Sequence, residues 1–495
     1  MSALTTASAS TLPVIIGAAV ASGAQSTSEA QHDPSDPIEL MAEALRLAVA
    51  DTDAPGLLDA IQLTAVVGGL WRYRNPAALV AAQVGVRPGR TLLTEFGGQT
   101  PIGLFADLAE RIQRGQLDVA VILGGECNAT RRAQTRTDQR PTARPEVTDP
   151  PDEHWGEALV VSDEIGAARG GDQPRTTYAI LDSAIRAARG ESLDEARDRA
   201  ARISASFAAV AVRNPHSATR QAMSVAEIRE PSATNRMVSW PYTKAMCANN
   251  TVDHAGAIIL CSQSAADRMG VPTGKRVHAI ACSAGADTST LDERIDLAVA
   301  PGLRQACDAL VEVAGSIRDI AYLDLYCCFP SMVTLTADAL GIDLGRALTV
   351  GGGLGMAGAP MNFAAGEGLI AMVHQLRADS GSLGLVQGNG GHASKHALGL
   401  FSTRAPDAPF RVLRPLKNAV ARPTAPAEAV GPAVVDGVTV EYDSAGPQRA
   451  VALVRFDDGS RTWANSDDVD VMRDITESEW VGRLVRVDAG RLSPR

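Results

Sequence analysis

Short apolar runs alternate with longer amphipathic stretches along most of the chain. The apolar runs are hydrophobic throughout, as strands buried on both faces of a sheet are. The stretches between them repeat apolar residues at helical spacing. This alternation predicts an α/β fold with mainly parallel sheets. The predicted strands cover residues 13–18, 61–68, 91–96, 118–125, 179–183, 256–262, 277–283, 321–326, 347–351 and 382–388, and the main predicted helices cover 37–51, 101–115, 193–213, 301–316, 331–340 and 359–377.

Two segments repeat one design, a strand followed by a sharp turn and a helix with Pro in its first turn. In the first segment the turn is Gly97-Gly98-Gln99-Thr100, and in the second it is Cys327-Cys328-Phe329. Such an elbow places turn residues over a helix N-terminus. We take the pair as an internal duplication with halves at residues 12–283 and 284–404, the alternative being chance similarity between two ordinary strand–helix units.

The first half contains an insertion at about residues 127–246. This stretch has little strand character and much charge, including five arginines between residues 131 and 144. We predict a loop domain that leaves the sheet. Its arginines form a solvated surface or, alternatively, contact a ligand.

Residues 405–495 are predicted to form an additional small β domain. Pro- and Ala-rich segments precede short alternating strands at 434–442, 450–456 and 462–463, with a closing strand at 480–487. A small OB-like barrel is our interpretation. The acidic stretch 457–474 argues against nucleic acid binding, and the apolar spacing at 410–413 indicates a strand docked on another part of the molecule.

Composition narrows the class of protein. The chain has 495 residues and a net charge of −11, without a basic block, which disfavours nucleic acid or anionic membranes as partners. No apolar run has the length of a membrane span. The seven cysteines are scattered and show no metal-binding spacing, which favours a reducing, cytoplasmic location.

Two glycine-rich runs mark candidate binding loops. One run extends from residue 351 to 358 and leads to Ala359, Pro360 and Asn362; the other is Gln387-Gly388-Asn389-Gly390-Gly391, followed by His392 and His396. Glycine between a strand and a helix lets backbone approach a ligand closely. The spacing fits neither a P-loop nor a dinucleotide fingerprint, and we predict no metal.

The order of these blocks resembles the thiolase superfamily, nearest the sterol-carrier-protein-x-type thiolases and actinobacterial thiolase-like proteins. The matching blocks, spread over residues 13–402, are Gly124-Gly125-Glu126, Tyr326-Cys327-Cys328-Phe329-Pro330-Ser331, Gly358-Ala359-Pro360 and the run from Gln387 to Gly391. The resemblance implies a five-layer αβαβα fold from two βαβαβ halves. It also implies a loop domain that helps to hold coenzyme A, acyl transfer involving coenzyme A, and a homodimer, although the added domain also allows a monomer.

The family's catalytic groups are mostly replaced. The nucleophilic cysteine of the first elbow corresponds to Gly98, and the histidine of the Gly-His-Pro motif corresponds to Ala359. The second cysteine corresponds to Gln387 or Gly388. At the second elbow Cys328 matches, whereas the histidine has become Tyr326. We therefore expect thiolase turnover near background, because a nucleophile and its base act as a unit.

Our hypothesis is a thiolase-like acyl-CoA-binding acyltransferase of lipid metabolism with a degenerate active site. Its candidate catalytic residues are Cys328, His392, His396 and Asn362, with Asn362 as an oxyanion donor. Coenzyme A or acyl-CoA, not bound covalently, is expected at Gly358, Pro360, Gly388, Asn389 and Gly390. The alternatives are a structural role for Cys328 and a non-catalytic protein that binds coenzyme A or acyl-CoA and acts with a partner chain.

Overall fold

The computed structural model describes residues 10–23, 36–87, 89–136, 149–414 and 420–494. In these ranges no helix is long and apolar enough to cross a bilayer. The fourteen α-helices labelled here are α1 (Pro37–Asp51), α2 (Leu57–Ala60), α3 (Pro76–Val84), α4 (Thr100–Gln113), α5 (Asn128–Arg136), α6 (Glu164–Ala168), α7 (Pro174–Arg189), α8 (Leu193–Ala211), α9 (Val225–Arg229), α10 (Gln263–Arg268), α11 (Pro301–Ala314), α12 (Pro330–Leu340), α13 (Ala364–Ala378) and α14 (Val469–Glu477).

The strands form two separate sheets. The large sheet contains β1 (Pro13–Ser22), β2 (Leu63–Val66), β3 (Arg90–Thr94), β4 (Val119–Cys127), β5 (Glu153–Trp155), β8 (Asp253–Ser262), β9 (Val277–Ala286), β10 (Ile320–Asp324), β11 (Leu383–Gly390), β12 (Lys395–Ser402) and β13 (Arg411–Leu413). The smaller sheet contains β6 (Met237–Ser239), β7 (Tyr242–Thr243), β14 (Val430–Tyr442), β15 (Pro447–Phe456), β16 (Arg461–Ser466), β17 (Leu484–Asp488) and β18 (Arg491–Pro494).

The large sheet is built from two copies of one topology that meet where β1 pairs with β9. Outward from that pair the order is β1-β8-β4-β2-β3 in the first half and β9-β12-β11-β10 in the second. Strands taken in chain order within each half therefore follow the same path, and their parallel or antiparallel pairings agree. This repetition confirms the predicted internal duplication. The prediction of mainly parallel sheets is wrong, because the described strands of the large sheet form as many antiparallel pairings as parallel ones.

The two elbows, predicted to be equivalent, occupy different positions in the two halves. The first elbow follows β3, the third strand of its half, whereas the second elbow follows β10, the second strand of its half. The counterpart of the first elbow is instead the glycine-rich segment that leads into α13. The prediction of equivalent units at 91–115 and 321–340 is therefore wrong, because a Pro in the first helical turn occurs in several units of both halves.

Five layers result from the way the helices pack. Helices α4 and α13 each contact strands of both halves and form the middle layer. Helix α1 covers the outer face of the first half, and α11 covers the outer face of the second. One apolar core lies between the two halves of the large sheet and includes the middle helices. Helix α1 packs against a separate apolar cluster. The predicted αβαβα fold is thus confirmed.

Two predicted strands are wrong. Residues 179–183 lie in α7, which starts at Pro174 and ends at Arg189, just before Gly190, a glycine with a φ of +68°. A Pro at the first position and a left-handed Gly after the last are helix boundaries, and they prevail over a short apolar run. Residues 347–351 form no strand, so the second half lacks the third strand that the first half has.

The predicted loop domain lies largely outside the sheets, except that β5 pairs in parallel with β3, and β6 and β7 join the smaller sheet. Residues 137–148, with two of its five arginines, lie outside the described residues. Five strands of the smaller sheet close into a barrel in the order β14-β15-β16-β18-β17-β14. Helix α14 lies between β16 and β17 in the chain. This connectivity is that of an OB fold.

The segment before the barrel is part of the core sheet. Strand β13 pairs with β9, from Arg411 opposite Ala281 to Leu413 opposite Ser283, which confirms the docked strand. Strand pairing does not by itself set domain boundaries, so the limits 12–283, 284–404 and 405–495 stay predictions.

The barrel contacts the core through buried groups. The buried Arg461 side chain lies 2.7 Å from Asp436 and donates hydrogen bonds to main-chain carbonyls at residues 291–295. Trp463, also buried, packs so closely on Gly166 and Gly171 that a Cβ at either would lie within 3 Å of the indole. The barrel therefore covers apolar and polar surface that the core alone would expose.

Truncating the chain after residue 414 should leave a core that self-associates and melts more than about 5 °C below the full chain, since buried contacts become exposed. Light scattering after size-exclusion chromatography and thermal unfolding measure both effects. A monodisperse truncated core with an unchanged melting temperature would show that the barrel is an independent module.

Candidate functional site

The first elbow and the second elbow meet, and the side chain of Tyr326 fills the space beside Gly98. A Cβ atom placed on Gly98 would lie 2.4 Å from the Tyr326 hydroxyl oxygen and 2.4 Å from the carbonyl oxygen of Asn389. Real Cβ atoms do not come so close to other atoms. The position of the predicted missing nucleophile is therefore occupied, in addition to lacking a thiol.

Cys328 lies at the second elbow, just before α12, and is buried. A helix N-terminus stabilises a thiolate, but here burial has the larger effect and raises the pKa of the Cys328 thiol to about 12. Hydrogen bonds from Tyr178 and from the Phe329 amide oppose this shift without cancelling it. The thiol is therefore protonated at neutral pH and is a poor nucleophile in this state.

Tyr178, which sequence analysis did not single out, connects the second elbow with the last glycine run. Its hydroxyl oxygen accepts hydrogen bonds from Asn389 Nδ2 at 2.7 Å and from the Ala393 amide at 3.1 Å. Its ring stacks on Phe329 with centroids 4.8 Å apart. Burial holds its pKa well above the usual range. The helix-boundary residues of α7 were the signal that would have placed this side chain.

The two candidate base residues are buried near Tyr178. Burial and the neighbouring Arg294 cation lower the pKa of His392 to about 4, and its ring lies 6.3 Å from that of Tyr178. His396 Nε2 contacts Asp287 Oδ2 at 3.1 Å, and burial lowers its pKa. In the described part of the chain no hydrogen bond joins either imidazole to Cys328. Their role as a base stays a prediction.

The remaining candidates form the walls of the same region. Asn362 Nδ2 donates to the Gly68 carbonyl at 2.6 Å, so one of its two amide hydrogens is already used. The Ala359 amide donates to Asn249 at 3.0 Å. The backbone of Gly358 has a φ of +109° and runs close to His254. Pro360 follows this turn, and the oxyanion role of Asn362 stays a prediction.

The glycines of the last run allow close packing against the first elbow. A Cβ on Gly388 would lie 3.0 Å from Gln99 Cα, and one on Gly390 would meet the Gln99 amide oxygen. Both glycines and Asn389 lie on β11 and are buried. This close packing explains why glycine occupies both positions. The role of Gly388, Asn389 and Gly390 in ligand binding stays a prediction.

A groove of about 1540 Å³ opens beside this region. It lies between α5, α9, the segment 244–251 and the turn of π-helix Gly353–Ala357. Four basic residues line it (Arg131, Arg132, Arg136 and Lys244), against two acidic ones (Glu227 and Glu230). Its inner wall includes Ala248, whose amide donates to the Cys328 carbonyl at 2.9 Å. The groove is therefore positively charged and ends next to the second elbow.

No metal site is associated with these residues. The described ranges contain no group of three or more His, Cys, Asp or Glu side chains placed to hold an ion. The seven cysteines, all of which lie in the described ranges, form no disulfide there.

The structure is similar to solved thiolase-fold proteins over most of its length. A crystal structure of a monomeric SCP2-thiolase like protein type 1 from Mycobacterium smegmatis matches with a TM-score of 0.81 and 27% identity, covering 98% of this chain and 100% of that chain. The dimeric peroxisomal thiolase of Saccharomyces cerevisiae matches with a TM-score of 0.55 and 15% identity, covering 79% and 97%. An acetyl-CoA acetyltransferase from Syntrophomonas wolfei matches with a TM-score of 0.55 and 14% identity, covering 79% and 99%.

The C-terminal region also matches a family model. Residues 415–490 fit the thiolase-like protein type 1 additional C-terminal domain, a range that includes most of the barrel. A comparison with curated protein sequences finds no match. The Mycobacterium smegmatis structure, which covers 98% of this chain, extends over this region as well, whereas the two other structures cover 79%.

The contact between residues 98 and 326 gives a stability test. Gly98→Cys alone should destabilise the fold by about 1–3 kcal/mol, because the new side chain meets the Tyr326 hydroxyl. Combined with Tyr326→Phe, which removes that hydroxyl, the cost should fall by at least about 1 kcal/mol. Chemical denaturation of the four proteins in the double-mutant cycle measures this coupling. Additive effects would mean that the two side chains do not compete for one space.

The protonation state of Cys328 gives a reactivity test. At pH 8 its alkylation by iodoacetamide should be about a thousandfold slower than that of an unperturbed cysteine peptide, since only the thiolate reacts. Peptide mass spectrometry after timed quenching reports the rate at this residue, and unfolded protein provides the control for intrinsic reactivity. Labelling of native Cys328 as fast as the peptide would establish an exposed or ionised thiol.

Proposed function

We propose that this thiolase-superfamily protein with an additional C-terminal domain binds coenzyme A or its acyl thioesters in the basic groove without thiolytic acyl transfer. The observation that carries the proposal is the combination of a positively charged groove with an occupied first elbow. The groove can attract the ligand, while the elbow offers neither a nucleophile nor room for one. The match of residues 415–490 to the additional-domain model and the similarity to the Mycobacterium smegmatis structure support the family named in this proposal.

The charge of the groove supports an anionic ligand. The chain as a whole has a net charge of −11, yet this surface gathers three arginines from α5 and a lysine from the facing segment. Coenzyme A carries phosphate groups at one end and a long uncharged arm at the other. Guanidinium and ammonium groups recognise phosphate by charge-assisted hydrogen bonds, so the nucleotide end fits the basic part.

The inner end of the groove supports the placement of the thioester arm. Met356 and Met361 line the wall next to the Gly358-Ala359-Pro360 turn. Flexible methionine side chains adapt to apolar ligands. An arm that follows this wall reaches the neighbourhood of Cys328 and Asn362, where the family places its chemistry.

The absence of turnover follows from the groups that surround that point. Tyr326 fills the space beside Gly98, Ala359 has no imidazole, and the Cys328 thiol is protonated. Acyl transfer through Cys328, with His392 or His396 as base, is the second candidate function. It needs a thiolate that burial disfavours, so non-catalytic binding is the better supported function.

The same proposal covers assembly and location. Thiolases pair through the sheet of the first half, and here β5 occupies the outer edge of β3. A covered edge cannot form a continuous sheet with another subunit, which supports a monomer. Cysteines that form no disulfide in the described residues fit a reducing compartment, so we place the protein in the cytoplasm, in acyl-CoA or lipid metabolism.

Charge reversal in the groove tests the proposal. The triple variant Arg131→Glu, Arg132→Glu, Lys244→Glu should weaken coenzyme A binding by more than about tenfold, because attraction to the phosphates becomes repulsion. Isothermal titration calorimetry measures the affinity. Arg318→Glu, an exposed arginine outside the groove, is the control and should bind as the unmodified chain does.

The same samples separate the two functions. After incubation with acetyl-CoA, mass spectrometry should find no acyl group on Cys328, and acetoacetyl-CoA thiolysis should stay at background. An adduct on Cys328 would favour the transferase. Equal affinities of the triple variant and the control would refute the groove as the binding site.

A further inference from the structure

A second cleft, of about 850 Å³, opens on the other side of the turn Gly353–Ala357. Gly355 and Met356 line the basic groove, whereas Ala357 lines this cleft. Its floor is one face of α13, and its walls are β1, β10 and residues 347–350. Residues 347–350, which form no strand, are part of its wall. Its volume is within the range of small-molecule sites.

Most of the lining is apolar. On the side of α13 that lines the cleft lie the buried Ile370, the partly buried Ala371 and the exposed Ala378, and β10 adds Ala321 and the buried Leu323. Small side chains along a helix leave an elongated trough. Covering this apolar surface with a flexible hydrocarbon chain is favourable, because it removes apolar surface from water.

Ionisable side chains also line the cleft. Three of the eight histidines, His216, His254 and His374, line it together with Glu367. His254 Nδ1 and Glu367 Oε1 lie 3.3 Å apart, and although burial opposes the shift, Glu367 raises the pKa of His254. Glu367 is therefore neutralised within the cleft wall.

The charges of the cleft do not cancel. Glu367 faces His254, and Asp51 is paired with Arg377 at 2.6 Å and with Lys275 at 3.3 Å. Arg213 lines the cleft and is exposed, and no acidic side chain pairs with it among the residues that the structure describes. Each carboxylate that lines the cleft is paired with a basic side chain, whereas Arg213 is not paired with a carboxylate. The net charge at the mouth of the cleft is therefore positive.

We propose that this cleft binds a long-chain carboxylate, with its hydrocarbon chain along α13 and β10 and its carboxylate at Arg213 and His216. A guanidinium forms charge-assisted hydrogen bonds with a carboxylate. The site is independent of the basic groove, so the ligand is a free acid that can be bound while coenzyme A occupies the groove.

Calorimetric titration of the full chain with oleate tests the site, with oleyl alcohol as a ligand of equal chain length without the charge. Ala371→Trp fills the trough and should reduce oleate affinity more than tenfold. Ala378→Trp, at an exposed position on the same face, should weaken it in the same direction without burying a new side chain. Ala188→Trp, an exposed alanine of α7 outside the cleft, is the control.

The head group is tested separately. Arg213→Gln should weaken oleate binding several-fold and leave the affinity for oleyl alcohol unchanged, with Arg318→Gln as control. Coenzyme A affinity should be unchanged in every variant, which separates failure of this site from failure of the groove. No oleate binding, equal affinities of Ala371→Trp, Ala378→Trp and Ala188→Trp, or competition between oleate and coenzyme A would overturn the proposal.

Discussion

Helix α7, which carries Tyr178, connects the second elbow and the last glycine run with the added barrel. Helix α7 directs Tyr178 toward Asn389 and Ala393, while other positions of the same helix contact the barrel: Thr176 bonds Glu441, Ser183 accepts from the Val438 amide at 2.9 Å, and Arg186 pairs with Glu479. Because one rigid helix makes both sets of contacts, movement of the barrel displaces the ring that stacks on Phe329. The added domain is therefore part of the site's architecture.

The replacement of catalytic groups is a packing exchange as much as a chemical loss. Gly98 and Tyr326 belong to different halves of the duplication, yet the larger side chain occupies the space left by the smaller one. Protein interiors tolerate changes that conserve volume far better than overpacking. A larger side chain at residue 98 therefore needs a compensating change at residue 326, because the Tyr326 hydroxyl already occupies the space.

Sequence patterns predicted most of the core strands because strands buried on both faces are continuous apolar runs, but these runs did not indicate that β1, β8 and β12 pair in antiparallel fashion. They failed where an apolar run lies within a helix, as at residues 179–183, and where a predicted strand has no pairing partner, as at 347–351. The positions of Gly98, Ala359 and Cys328 followed from motif order. The contact of Tyr326 with the first elbow and the burial of Cys328 could not, because both depend on which elbows the fold brings together.

The missing third strand changes what the duplicated fold can hold. In the first half β3 covers the edge of β2, and β5 in turn covers β3. In the second half β10 remains an edge strand, and α13 keeps an uncovered face between the two halves of the large sheet. The turn Gly353–Ala357 then separates two openings of opposite character, a basic groove and a largely apolar cleft. The second half therefore differs from the first by a largely apolar cleft beside its open edge at β10, and neither the cleft nor the groove is lined by Gly98, Ala359 or Cys328.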